Sequence, residues 1–227
     1  MPLISSEDLK NSVPDVSFVM PETFPDRKER WGGILENPYI SKVQRNMLDA
    51  GRLGRLSRIL KSYSYQSVLD VGCGLGEYTA LVKDRRGSYC GFDNSFRRLT
   101  FAAQHYPRCH FLVGDARHLP FPEGRFDLVM LIDTSHHLSD EELKIVLHEM
   151  KRVSKKYIVV GDPILFDQQS PLSRFFYKLD RGACFRPVRQ MENIFQQTGG
   201  LKMLDTPCYR TFPGFYLRAV CILEKTS

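Results

Sequence analysis

The stretch VLDVGCGLGEYT, Val68 to Thr79, constrains this chain more than any other. Val68 to Val71 form a short apolar run of the kind that suits a buried parallel strand, and from Glu77 to Asp84 the apolar positions Tyr78, Leu81 and Val82 recur on one helical face. Gly72, Gly74 and Gly76 stand between the two. A turn that tight needs backbone conformations that glycine reaches at little cost, and the missing side chains let a ligand lie against the main chain. Strand, glycine turn and helix in that order predict an α/β sheet with a ligand at its edge.

The glycine spacing separates two kinds of ligand. A dinucleotide site typically uses G-x-G-x-x-G, with the pyrophosphate on the helix N-terminus. This chain has G-x-G-x-G with Asp70 just before it. A carboxylate there repels a pyrophosphate and suits a ligand that carries an ammonium group. A second acid, Asp93, ends the next apolar run, SYCGFD. At the tip of a parallel strand a carboxylate can accept two hydrogen bonds from ribose hydroxyls. A nucleoside with a cationic amino-acid tail describes S-adenosylmethionine.

Four segments in chain order, VLDVGCGLGEYT, GFDNS, FLVGDARHLPF and FDLVMLIDTSHHL, are similar to those of class I S-adenosylmethionine-dependent methyltransferases. The resemblance runs from about Gln66 to Asp162. It implies a Rossmann-like, doubly wound α/β fold, a mostly parallel seven-stranded sheet with an antiparallel last strand, joined by an N-terminal helical segment and a substrate-side insertion. It also implies S-adenosyl-L-methionine as cofactor. Asp70 and the backbone of Gly72, Cys73, Gly74 and Gly76 would face its methionine portion, Asp93 the ribose, and Asp115 with Ala116 the adenine edge. Asn94 and Asp133 are further expected cofactor contacts. Phe92 and Leu119 can sandwich the adenine ring; for Asp115 the plain alternative is a loop-capping aspartate. The family's usual K-P-G-G turn before the fifth strand is replaced by Ser154-Lys155-Lys156.

The rest of the chain fits one α/β domain at 63–227, with an extension at 1–62 and an insertion at about 163–186. Met1 to Pro25 holds four prolines and no helical period, and is expected to run extended. Trp31 before Gly32 and Gly33 reads as an aromatic anchor, or else as a lid with a glycine hinge. A helix is expected from about Ser41 to Lys61, with Arg52, Arg55 and Arg58 on a solvated face. After the second strand, Asn94 or Ser95 can cap a helix with Phe96, Leu99, Ala103 and Tyr106 inward. Ser139 and Glu142 make a capping box ahead of the apolar face Leu143, Val146, Leu147, Met150 and Val153. Beyond Pro163 the alternation loosens into an aromatic and basic segment, whose Phe175, Phe176 and Tyr177 are expected to line a substrate pocket. A helix at Pro187 to Thr198 and strands at Leu201 to Asp205 and Phe215 to Leu223 complete the prediction.

His136 and His137 follow the apolar strand Phe126 to Ile132, at the edge where open α/β sheets bind ligands. Methyl transfer from a sulfonium is an in-line displacement, so a protein mainly has to align donor and acceptor and exclude water. A hydroxyl acceptor must also lose a proton, which histidine can take near neutral pH. His136 or His137 is therefore a candidate base, with His137 slightly preferred, and Asp162 can orient the imidazole. A hydrogen bond to the cofactor or to a backbone carbonyl is the competing role. The expected activity is methylation of a small acceptor, oxygen favoured and carbon next, lipophilic with an acidic group still open. RNA or protein methylation and a non-catalytic cofactor-binding role are the alternatives. The net charge of +6 permits nucleic acid, but no aromatic residues interleave the arginines. Six scattered cysteines show no metal-ligand spacing and are expected to stay reduced in a cytoplasm. No apolar run is long enough for a membrane span, although transient contact with a membrane surface stays open.

Overall fold

The computed structural model describes residues 51–83, 88–179, 184–211, 214 and 216–226, and every statement of structure below concerns these. Residues 1–50 of the expected 1–62 extension, with the Trp31 anchor and the first half of the predicted 41–61 helix, lie outside them, as does Phe215. The elements are α1 (Arg52–Leu60), β1 (Ser67–Val71), α2 (Ala80–Lys83), β2 (Ser88–Asp93), α3 (Phe96–His105), β3 (His110–Val113), β4 (Phe126–Ile132), α4 (Asp140–Val153), β5 (Ser154–Pro163), α5 (Pro171–Leu179), α6 (Val188–Thr198), β6 (Leu201–Asp205), β7 (Cys208–Arg210) and β8 (Leu217–Lys225). Single 3₁₀ turns at Glu77–Thr79 and Ser135–His137 precede α2 and α4.

The sheet runs in the order β3-β2-β1-β4-β5-β8-β6, with β7 paired to β8. The pairs among β1 to β5 are parallel, while β8 is antiparallel to β5, β6 and β7. The sheet has eight strands where the resemblance implied seven; the addition is the three-residue β7, too short to show a period in sequence. Chain order reverses between β1 and β4, and in open α/β sheets the crevice at such a point, outside the carboxyl ends of the strands, takes the ligand.

Period-two alternation splits the core. Leu69, Val71, Val129, Leu131, Ile158 and Val160 face α4 and α6, whereas Val68, Leu128, Met130, Val159 and Ile222 face α1 and the 77–83 turn. All five apolar residues predicted for the inner face of α4 are fully buried, each contributing about 1.5–3 kcal/mol. Its capping box forms in both directions between Ser139 and Glu142. The inward face of α3 differs from expectation: Leu99 and Ala102 are buried, while Phe96 and Ala103 are exposed. Phe96 occupies the first helical residue, and the stripe that meets the sheet begins one turn later. The predicted turn at Ser154-Lys155-Lys156 is absent. Strand β5 starts directly after Val153, Ser154 pairs with Phe126, and a register shift between Phe126 and Leu128 absorbs the irregularity. Among the described residues, no helix is long and apolar enough to cross a membrane.

Candidate active site

Gly72, Gly74 and Gly76 all have positive φ, +73°, +53° and +72°, a region that costs other residues roughly 1–2 kcal/mol each. The turn is also packed close: a Cβ on Gly72 would lie 2.4 Å from Oγ1 of Thr134, in the loop that follows β4. Backbone bonds tie it to the end of β2, from the N–H groups of Gly72 and Cys73 to the carbonyl of Phe92. The N–H of Gly74 donates to Oδ2 of Asp93 at 2.9 Å, and the N–H of Ser95 donates to Oδ1 at 2.8 Å. Each oxygen of a carboxylate has a second lone pair, so Asp93 can still accept from a pair of vicinal hydroxyls. The Asp93 carboxylate, with that accepting capacity, fits the ribose of S-adenosylmethionine.

Asp70 sits deeper. It is 1% exposed and accepts a hydrogen bond from the hydroxyl of Tyr89 at 2.5 Å. Strand pairing puts Asp70 opposite Gly91, on the sheet face shared with Tyr89, so its charge acts from beneath the glycine turn. Burial, and then Asp70, push the Tyr89 hydroxyl well above its ordinary pKa. Asp115 is half-buried, and its carboxylate is gripped by the guanidinium of Arg117, whose hydrogen bonds hold its pKa below the usual range. Phe92 and Leu119, expected to sandwich a ring, are packed into the core instead. A Cβ on Gly114 would meet the Phe92 ring at 2.4 Å. Asn94 is exposed between β2 and α3, and Ala116 packs against the core.

Asp133 follows β4 in a left-handed conformation, φ +56°. Arg218, at the start of β8, pairs with its carboxylate. Arg52 pairs with Glu77 and is buried, which corrects the expectation of a wholly solvated arginine face on α1. Burial works against the Arg52 charge, yet Glu77, Tyr78 and Asp133 hold its pKa above the ordinary value. Arg55 lies over the ring of Tyr209, and Arg58 alone of the three is exposed.

The two histidines occupy the 3₁₀ turn two residues past Thr134. His136 is buried, at 5% exposure, and Nδ1 lies 2.5 Å from Oδ1 of Asp162, at the end of β5. The backbone N–H and the hydroxyl of Ser135 both donate to Oδ2 of the same carboxylate. With Nδ1 donating to that carboxylate, the tautomer that leaves the lone pair on Nε2 is the one the contact favours. Phe185 stacks on the His136 ring at 5.0 Å and 7°, and Tyr177 meets Phe185 at 4.8 Å. His137 is exposed, with its ring 4.2 Å from that of His136. Of the two candidate histidines, it is His136 whose ring Asp162 contacts.

Arg186 is a site residue that sequence reasoning missed. Buried between insertion and turn, it donates to the carbonyls of Ser135, Leu138 and Cys184 and pairs with Asp140. About fifty residues separate it from the turn it holds, and no local pattern announces that contact.

The family model for the methyltransferase domain matches residues 68–157, the span that holds the glycine turn, Asp93 and both histidines. That span carries a methyltransferase domain, and there the chain is similar to class I S-adenosylmethionine-dependent methyltransferases. It is 30% identical over 104 residues to the demethylmenaquinone methyltransferase of Thermotoga maritima, covering 45% of this chain and 44% of that one. The chain spans about half or less of the curated relatives it matches. Magnesium protoporphyrin IX methyltransferase from Synechocystis, solved with S-adenosylhomocysteine, superposes with a TM-score of 0.65 at 15% identity, covering 86% of this chain and 90% of that one. The [4+2]-cyclase SpnF superposes with a TM-score of 0.64 at 20% identity, covering 78% and 82%.

Proposed function

We propose that this chain transfers a methyl group from S-adenosylmethionine to a small, lipophilic acceptor, with oxygen favoured over carbon, and that His136 is its general base. The supporting observation is the Asp162–His136 pair at the carboxyl ends of β4 and β5. The cofactor, when bound, supplies an electrophilic methyl on a sulfonium. Asp93 would hold its ribose and the glycine turn its methionine portion. For a hydroxyl acceptor, Nε2 of His136 would take the proton that the oxygen loses on methylation. Asp162 fixes the ring and offsets the imidazolium charge. The aromatic wall of Phe185 and Tyr177 beside the imidazole favours an apolar acceptor, and the relatedness to a quinone methyltransferase agrees with that class.

His136→Ala is expected to lower kcat by about 10²- to 10⁴-fold with cofactor affinity unchanged. Asp162→Asn keeps the shape of the side chain but weakens the base, so the acid limb of the rate profile should move. Screening phenols, quinones and lipids for methyl transfer identifies the acceptor. Wild-type rates and unmoved pH limbs in both variants would remove the base role. Binding of S-adenosylhomocysteine with no turnover across the screen would instead select cofactor binding without methyl transfer.

A further inference from the structure

Helix α5 divides its surface in three. Ser173 and Tyr177 are buried, and the Tyr177 hydroxyl donates to the carbonyl of Ile164. Leu172 and Phe175 are 53% and 54% exposed, with Phe176 half-buried beside them and its ring edge-on to Phe175 at 5.9 Å. At 100° per residue, Phe175, Leu172 and Phe176 fall at successive steps of about 60° and 40° around the helix, a continuous apolar stripe. Arg174 and Lys178, both exposed, fall on its flank. Leu165, also exposed, belongs to the loop that leads in. Between Ile164 and Leu179 the only acid is Asp167, before the helix, and the whole chain carries +6. An apolar stripe with a cationic flank on a helix lying along the surface is the arrangement that inserts shallowly into a lipid interface.

We propose that α5 docks this protein onto a bilayer with anionic head groups, Leu172 and Phe175 entering the acyl boundary while Arg174 and Lys178 meet the head groups. The proposal rests on the lipophilic-acceptor reading, because the opposite face of the same helix leads through Tyr177 and Phe185 to His136. An acceptor dissolved in the bilayer would then meet the site without crossing water.

The test is co-sedimentation of the full chain with phosphatidylcholine vesicles, with and without phosphatidylglycerol, and with no acceptor present. Wild type should sediment with the anionic vesicles and be released as salt rises. The pair Leu172→Ser and Phe175→Ser should weaken binding at least about tenfold, and Arg174→Glu or Lys178→Glu about fivefold each or more. All four side chains are exposed, so melting temperatures should stay at the wild-type value. His136→Ala should sediment as wild type. Failure of wild type to bind anionic vesicles, or binding indifferent to all four substitutions, overturns the proposal. A dimer that dissociates on Phe175→Ser would assign the face to a second copy and equally overturn it. Turnover of a detergent-dispersed acceptor keeps the two readings apart: its loss counts against the chemistry, while vesicle binding is scored without it.

Discussion

Both oxygens of Asp93 already accept a backbone N–H, from Gly74 and from Ser95. That engagement fixes the carboxylate, so a ribose bound there would have little ordering left to induce. Asp93→Ala removes the acceptors and frees the turn together; one charged hydrogen-bond site is worth about 1.5–3 kcal/mol, so affinity for S-adenosylhomocysteine should fall roughly tenfold to a hundredfold. Calorimetry on the folded variant reads this directly, and unchanged affinity would contradict the ribose assignment. The three arginines of α1 show why residue roles are harder to read than motifs. Their sequence spacing is uniform, yet Arg52 is buried against Glu77, Arg55 covers Tyr209 and Arg58 meets solvent. Their partners are 25 and 154 residues away in sequence for the first two, and a local window carries no trace of either.

The 3₁₀ turn that presents His136 hangs from two side chains, Asp162 below and Arg186 across. Removing Arg186 would orphan the buried carbonyl of Ser135, an unmet group costing about 1–3 kcal/mol, and release the partly buried carbonyl of Cys184 and Asp140. Arg186→Ala should therefore lower the denaturation midpoint clearly, and also depress kcat with a shifted pH limb because the turn loosens. Arg186→Lys, which keeps the charge but not the planar fork, should recover stability better than rate. Equal recovery of both would make Arg186 merely structural. At this scale the elements were mostly legible in sequence. The 3.6 period and the capping box located α4, the apolar runs located the parallel strands, and Gly199 ended α6. The illegible parts share a cause. Strand β7 has only three residues, β5 begins without a turn because Ser154 pairs with Phe126, and the core placement of Phe92 depends on Gly114 leaving room for its ring. Each is decided by tertiary neighbours. The same holds for the insertion, where Phe175 was expected in a pocket and lies instead in solvent.

Across the whole molecule, depressed carboxylates strap loops to the sheet. Burial raises the Asp127 pKa, but the N–H groups of Gln66 and Ser67 and the Ser67 hydroxyl outweigh it, holding the start of β1 to β4. Asp140 behaves likewise, with burial overcome by Arg186 and Gln190, which join α4 to the segment after the insertion. Hydrogen bonds from Arg152 lower Glu149, whose carboxylate also takes the N–H of Leu119 in the loop after β3. In each case the folded pKa lies below the unfolded value of about 3.9 for Asp or 4.3 for Glu. The unfolded chain then binds more protons through that window, so these groups contribute their full stability above about pH 5 and lose it as pH falls through the folded pKa values. The urea midpoint should accordingly be nearly flat with respect to these groups between about pH 7 and 5 and decline below about pH 4. Asp127→Asn gives the internal control: it forfeits part of the stability at neutral pH and flattens the acid decline by the share that Asp127 carried. A parallel curve, displaced but equally steep in acid, would show that the Asp127 carboxylate is not among the groups that set it.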